Sequence, residues 1–173
     1  ARYLSPEERG IYASTFAFAG LLTQFLNFGI QASNIHFIAS NQCSTAVLLG
    51  NSFFVTFVST FFLCPLIYTV SLFFPSLDLV QGKYLILSFL FVPFSLLYLF
   101  TTNLLVGLQR IRLFNSLELV LRVSNLALVV GIIYFNQHDG YSLMAAMVLS
   151  YTFCCLLLYL FFYYFVGQSE IHL

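Results

Sequence analysis

The sequence has little charge. Of its 173 residues, 61% are hydrophobic and only 7% are Asp, Glu, Lys or Arg, whereas a typical soluble domain has about 25% charged residues. The six basic and six acidic residues balance, so the chain lacks the excess of positive charge that nucleic-acid binding requires. The composition therefore excludes an ordinary soluble domain and argues against a nucleic-acid partner.

Motifs for catalysis and for metal binding are also missing. The sequence contains no H-E-x-x-H, no G-x-S-x-G and no pair of aspartates within an apolar run. Its four cysteines lack the paired spacing of a metal site, and its three histidines are dispersed. We therefore predict no catalytic residue, no metal site and no cofactor, and we expect the protein not to be an enzyme.

Long apolar runs dominate what remains. A helix of about 20 apolar residues crosses a bilayer, and such runs predict an all-α, polytopic transmembrane helix bundle. We predict one bundle over residues 1–173, with five helices at approximately 11–39, 45–73, 84–106, 113–135 and 142–166. The first run is longer than one crossing needs, so it must tilt, project into water or break near Gly29.

Four amide side chains recur along the first predicted helix at spacings of three, four and three residues: Gln24, Asn27, Gln31 and Asn34. That spacing places them on one helical face. Amides facing lipid would lack hydrogen-bond partners, so we expect this face to meet protein or a watery cavity. Two interpretations stay open, which are hydrogen bonding between helices and contact with a substrate.

The same spacing recurs in the fourth predicted helix, where it aligns Asn115, Glu118, Arg122 and Asn125. An isolated Arg at the bilayer centre is unfavourable by about 2.5–3.5 kcal/mol, so Arg122 needs a partner or water. In one interpretation Glu118 neutralises Arg122 in a structural ion pair. In the other, Arg122 lines a central cavity and binds an anionic group, while Glu118 tunes or releases it.

Two further basic residues, Arg110 and Arg112, stand in the turn before this helix. Cationic residues at such a position anchor to lipid phosphates and set topology. A second possibility is a first contact for a phosphate-bearing substrate. Counting basic residues on the two sides leaves the orientation of the bundle open.

Three segments carry a family resemblance: Leu4–Ala13, Phe16–Ile30 and Asn103–Asn115. In the first segment Pro6, Gly10 and Tyr12 match an L-G-P-x-x-x-G-x-Y/F stretch, and Ser5 stands where that stretch has glycine. Together the segments resemble the polysaccharide and oligosaccharide flippase branch of the multidrug/oligosaccharidyl-lipid/polysaccharide exporter superfamily.

The resemblance implies that the five helices are helices two to six of a longer protein with two pseudo-symmetric halves. The chain would then be an incomplete first half, and the missing second half of the same chain would be its partner. It also implies a multi-pass protein of the cell (inner) membrane, with Leu4–Gly10 periplasmic and the turn bearing Arg110 and Arg112 cytoplasmic.

The resemblance further implies transport of a polyprenyl-diphosphate-linked oligosaccharide or polysaccharide precursor by alternating access. Membrane lipids and the lipid-linked sugar would be its partners, and cationic residues of the cavity would face the diphosphate. Depth and spacing make Arg122 the position expected for that role here.

Two alternatives stay open at this point. A cation-coupled multidrug exporter of the same superfamily is favoured by an acidic, aromatic cavity and disfavoured by Arg122 within it. A non-catalytic structural membrane subunit is expected to show small-x3-small packing without polar faces, whereas this sequence has two polar faces.

Overall fold

The computed structural model describes residues 5–73, 82–134 and 139–169, and within these ranges every regular element is a helix. The helices are α1 Pro6–Leu26, α2 Ile30–Ala39, α3 Thr45–Phe73, α4 Gly82–Gly107, α5 Ile111–Tyr134 and α6 Gly140–Ser169. The predicted all-α, polytopic bundle is therefore confirmed.

A capping box fixes the start of α1. The Ser5 hydroxyl accepts a hydrogen bond from the Glu8 backbone N–H over 3.2 Å, and the Glu8 carboxylate accepts one from the Ser5 backbone N–H over 3.3 Å. Pro6 costs no hydrogen bond at the first helical position, where a backbone N–H has no partner within the helix. As a result α1 begins at Pro6, whereas the prediction began the span at residue 11.

The long first run breaks near Gly29, which is one of the three outcomes left open above. Phe28 and Gly29 have φ angles of 46° and 74°, in the left-handed region where glycine lacks the steric penalty of other residues. The helix axes change direction by 49° between α1 and α2. The Asn27 carbonyl accepts a hydrogen bond from the Ile30 backbone N–H over 2.9 Å.

By length and composition, four of the described helices can cross a membrane, namely α3, α4, α5 and α6, and the bent pair α1–α2 makes a fifth candidate. These candidate spans differ widely in burial. In the 18-residue apolar window of α4, 61% of the residues are buried, against 6% in that of α5. Each of the other five helices packs against α4, which is therefore the centre of the bundle.

The core follows a ridge of α4. Val92, Leu96, Phe100 and Leu104 are fully buried and recur every four residues, so they lie along one side of the helix. Pro93 stands inside the same helix. Proline is tolerated there because neighbouring helices surround the backbone groups that it frees.

Two glycines lie where the helix ends meet. A Cβ atom on Gly140 would lie 3.2 Å from the Glu8 carbonyl oxygen and 3.4 Å from the Tyr84 hydroxyl, so the starts of α1, α4 and α6 are together. At the opposite end, a Cβ atom on Gly107 would lie 3.1 Å from the Ile38 Cβ, which joins the ends of α2 and α4. The starts of α1, α4 and α6 therefore lie at one face of the bundle, and the ends of α2 and α4 lie at the opposite face.

Some predicted loops fall outside the described residues. The loop Pro75–Lys83 does so for nearly all of its length, as do residues 136–138 of the turn Asn136–Tyr141 and residues 170–173. Which face of the bundle is cytoplasmic stays a prediction.

Candidate functional site

Arg122 lies midway along α5, a helix of 24 residues, and about 17 Å from its start at a rise of about 1.5 Å per residue. Its Nη2 atom is 3.7 Å from Glu118 Oε2, so the ion pair predicted from the spacing is present. The Arg122 side chain is 74% exposed and that of Glu118 is 35% exposed. Arg122, the more exposed member of the pair, therefore faces away from the described bundle.

The contact between the two charges is loose. A charge-assisted N–H···O hydrogen bond spans about 2.7–2.9 Å, whereas the Nη2–Oε2 separation here is 3.7 Å. An arginine has five N–H donors, and a phosphate group can bind two of them at once. Glu118 therefore balances the charge of Arg122 without occupying its hydrogen-bonding capacity.

Glu118 has a second partner on α4. The Tyr98 hydroxyl donates a hydrogen bond to Glu118 Oε1 over 2.9 Å, so the two carboxylate oxygens contact different groups. The Tyr98 ring is buried and packs edge-on against Tyr151 of α6, with the ring centroids 5.4 Å apart. Tyr98 thus lies at the junction of α4, α5 and α6.

The other two members of this face differ in environment. Asn115 is exposed near the start of α5. Asn125 is half-buried, and its Nδ2 atom is fully buried without a hydrogen-bond partner among the described residues. Leaving a buried donor unpaired costs about 1–3 kcal/mol, so a hydrogen-bond acceptor near this amide would stabilise the protein.

The polar face predicted for the first helix (Gln24, Asn27, Gln31 and Asn34) is not a single helical face in the structure. It spans the break between α1 and α2, where the chain turns by 49°. Gln24 is exposed and Gln31 is half-buried, whereas Asn27 and Asn34 are buried. The face predicted from spacing assumed one continuous helix, and the left-handed backbone at residues 28 and 29 ends that continuity.

Both buried amides of this group hold the fold together. Asn27 Oδ1 accepts a hydrogen bond from the Gln31 backbone N–H over 3.4 Å at the start of α2. Asn34 Nδ2 donates to Ser52 Oγ of α3 over 2.9 Å. Among the described residues, the side-chain hydrogen bonds of the two polar groups do not join them to each other, because Asn34 contacts α3 and Glu118 contacts α4.

The turn before α5 has a defined shape. Gln109 has a φ of 57°, and the Arg110 backbone N–H donates to the Leu105 carbonyl over 2.9 Å, which is the pattern of a Schellman motif. Arg110 and Arg112 are exposed. The motif therefore presents both arginines at the face of the bundle where α2 and α4 end.

An apolar groove lies elsewhere, between α3 and α4. Its volume is about 310 Å³, and it is lined by Phe53, Thr56, Phe57, Thr60, Phe61, Pro93 and Leu97. In the described part of the chain no three His, Cys, Asp or Glu side chains lie close enough together to hold a metal ion.

Comparison with known families decides the identity of the chain at the family level. The sequence profile of the polysaccharide biosynthesis protein family matches residues 1–171. The chain belongs to this family. No significant match was found among curated proteins or among solved structures.

As a polysaccharide biosynthesis protein with several apolar helices, the chain is a multi-pass membrane protein. This family match is consistent with the exporter superfamily that the sequence resembles. The flippase branch and the status of the chain as an incomplete first half stay predictions.

The segment with the predicted family motif begins α1 in this polysaccharide biosynthesis protein. Ser5, which departs from the motif, supplies the N-cap, and Pro6 is the first helical residue. Tyr12 stacks on Phe16 with ring centroids 6.4 Å apart. The departure from the motif is therefore compatible with a well-capped helix.

Tyr98 was missed in the sequence because it stands within an apolar run and carries no charge. A signal was present, however. Ser95, Tyr98 and Thr102 follow one another at spacings of three and four residues, as the members of the two recognised polar faces do. A search for hydroxyl side chains at helical spacing would have included Tyr98.

Proposed function

We propose that this polysaccharide biosynthesis protein is part of a transporter that moves a polyprenyl-diphosphate-linked oligosaccharide or polysaccharide precursor across the cytoplasmic membrane. Transport would proceed by alternating access, without a covalent step. The observation that carries the proposal is the position of Arg122, a charge-balanced and largely exposed guanidinium midway along a candidate membrane span.

The energetics of a mid-membrane arginine support this role. Facing lipid alone, Arg122 would be unfavourable by about 2.5–3.5 kcal/mol. Its partner Glu118 lies 3.7 Å away, beyond the roughly 2.7–2.9 Å of a charge-assisted hydrogen bond, so the pair leaves the donors of Arg122 unsatisfied. A structural purpose therefore accounts poorly for the residue, whereas a water-lined path that anions cross accounts for both its exposure and its loose pairing.

The chemistry of the substrate fits the polar face of α5. A diphosphate offers several anionic oxygens, and a guanidinium binds such oxygens through two parallel hydrogen bonds. Glu118 would compete for the same guanidinium and promote release. The amides of Asn115 and Asn125 would serve the sugar hydroxyls, because amides donate and accept hydrogen bonds without adding charge.

The first polar group has a smaller part in this proposal. Gln24 and Gln31 retain some exposure and are proposed as further contacts with the sugar. Asn27 and Asn34 already form hydrogen bonds within the bundle, so we assign them to packing.

The proposed orientation places Arg110 and Arg112 at the cytoplasmic face, where they would anchor to lipid phosphates or meet the diphosphate first. The proposed partners are membrane lipids, the lipid-linked sugar and a second half of the same transporter.

Substitution of Arg122 tests the proposal in the protein that carries this chain. We expect Arg122→Ala to abolish export of the lipid-linked sugar, because the cationic contact to the diphosphate is lost. Arg122→Lys should keep part of the activity, because the charge remains without the two-pronged geometry. The measurement is movement of a labelled polyprenyl-diphosphate sugar across proteoliposomes.

Leu126→Ala is the matched control, since Leu126 is an exposed side chain of α5 one turn beyond Arg122. It should leave export unchanged. Full export by a stably inserted Arg122→Ala protein would overturn the proposed site and favour a structural ion pair.

A further inference from the structure

We infer that Tyr98 is a positioning residue for Arg122. Its hydroxyl holds the Glu118 carboxylate in place. Arg122 can then exchange between Glu118 and the substrate diphosphate while the carboxylate stays bound to Tyr98. This inference rests on the proposed function, and it assigns the site a fixed counter-ion.

The first observation is that the two carboxylate oxygens of Glu118 contact different residues. Oε1 of Glu118 accepts the Tyr98 hydroxyl over 2.9 Å, and Oε2 faces Arg122 Nη2 at 3.7 Å. The shorter contact is a hydrogen bond and the longer one is an ion pair without hydrogen-bond geometry. Glu118 is therefore attached more closely to Tyr98 than to Arg122.

A gradient of burial is the second observation. Tyr98 is 5% exposed, whereas the side chains of Glu118 and Arg122 are 35% and 74% exposed. The Tyr98 ring packs against Tyr151, and Tyr151 packs in turn against Phe91 with centroids 4.9 Å apart. The three groups thus run from a buried side chain to a largely exposed one.

The consequence concerns the moment when Arg122 leaves Glu118 for an anion. A partly buried carboxylate that loses its counter-ion and has no hydrogen bond is strongly destabilised. Here Glu118 keeps the hydrogen bond from Tyr98, so the departure of Arg122 costs less. The carboxylate also remains within reach of Arg122 and can displace the anion when the substrate is released.

The test uses the transporter that contains this chain, purified in lipid nanodiscs, with inorganic pyrophosphate as the probe. Tyr98→Phe removes the hydroxyl and keeps the ring. A hydrogen bond to a charged group is lost, so we expect the dissociation constant for pyrophosphate and the apparent KM for transport to rise by about tenfold or more. The maximal rate should change less, because release through Glu118 is retained.

Glu118→Gln provides the decisive background. It removes the competing charge, so pyrophosphate should bind at least as tightly while the maximal transport rate falls. Tyr98→Phe should then have almost no effect when added to Glu118→Gln, since the group on which it acts has lost its charge.

Tyr84→Phe is the matched control. Tyr84 is equally buried on the same helix, at 3% exposure, and lies about 21 Å from Tyr98 along the helix axis at a rise of about 1.5 Å per residue. Its loss of a hydroxyl should leave pyrophosphate binding unchanged.

The outcomes separate this inference from the proposed function. If Arg122→Ala loses pyrophosphate binding but Tyr98→Phe binds normally, only the role of Tyr98 is overturned. An equal loss from Tyr98→Phe with and without Glu118→Gln would mean that the hydroxyl acts through packing, which also overturns it. If Arg122→Ala binds as tightly as the unaltered protein, the diphosphate site itself is wrong and the inference falls with it.

Discussion

Asn34 and Asn125 have the same type of side chain but different environments within the bundle. The Asn34 amide is 1% exposed and donates to Ser52 Oγ, while Ser52 in turn donates to the Leu48 carbonyl over 2.8 Å. The Asn125 Nδ2 atom is buried without a hydrogen-bond partner among the described residues. The first amide stabilises the contact between α2 and α3, whereas the unpaired donor of the second costs the fold stability.

Replacement of each asparagine by leucine, which has a similar size, distinguishes the two roles. We expect Asn125→Leu to stabilise the protein by about 1–2 kcal/mol, because an unpaired buried donor is removed, and to reduce transport. Asn34→Leu should destabilise it by about 0.6 kcal/mol, and by no more than about 1.7, which is the range for hydrogen bonds between membrane helices. Thermal unfolding in detergent, followed by circular dichroism, measures both changes. A stabilised Asn125→Leu variant with full transport would argue against contact between Asn125 and substrate.

At the scale of the element, the first span combines two helices with different tasks. The α1 helix packs mainly against α4 and α6, and α2 mainly against α4 and α3. The 49° bend between them allows this segment to contact two sides of the bundle. The bend depends on the left-handed backbone of Gly29, with a φ of 74°.

Gly29→Ala tests this dependence. No atom of the described residues lies within 4 Å of a Cβ placed on Gly29, so the penalty we assign is that of the left-handed backbone, which costs a non-glycine residue about 1–2 kcal/mol. Gly131 in α5 has the same open surroundings but a positive φ is not required there. Gly131→Ala should therefore stabilise α5 by up to about 1 kcal/mol, opposite in sign to Gly29→Ala. Urea or SDS titration gives the two free energies, and equal effects would refute the assigned strain.

The sequence predicted elements better than contacts, for a physical reason. Run length and polarity decide whether a segment forms a membrane helix, and both are local, so α3 to α6 could be read from the sequence. The break at Gly29 was one of three open outcomes because tilt and projection suit a long run equally well. The bond between Tyr98 and Glu118 joins residues on different helices, and helical spacing describes only one helix at a time. The ion pair between Glu118 and Arg122 could be predicted, because both residues belong to α5 and are four positions apart.

At the scale of the whole molecule, α4 depends on close approach to its neighbours at both ends. A Cβ atom on Gly107 would lie 3.1 Å from two atoms of the Ile38 side chain and 3.2 Å from the Ile35 carbonyl oxygen. At the other end, a Cβ atom on Gly140 of α6 would lie 3.2 Å from the Glu8 carbonyl oxygen of α1 and 3.4 Å from the Tyr84 hydroxyl of α4. Small residues at such contacts are how membrane helices approach one another.

Gly107→Ala tests the contact between α2 and α4. The added methyl group forces Ile38 and the backbone of α2 outward, and such overpacking destabilises by about 1–3 kcal/mol. Gly50→Ala in α3 is the control, because its added Cβ meets no atom within 4 Å in the part of the chain that the structure describes, and it should be neutral or stabilising. The midpoint of thermal aggregation reports the difference. If Gly107→Ala is as stable as Gly50→Ala, the two helices do not need this close contact.

The central position of α4 also bears on how the chain is made. Synthesis proceeds from the N-terminus, so α1, α2 and α3 leave the ribosome before the helix against which all three pack. Of the main helix contacts described, only that between α2 and α3 is available at this stage. A nascent chain that stops before Gly82 is therefore a loose set of inserted helices, with Thr23 still separated from Ser95, its later hydrogen-bond partner at 2.8 Å. Emergence of α4 then completes three interfaces in one step, which makes its insertion the point at which the bundle acquires its shape.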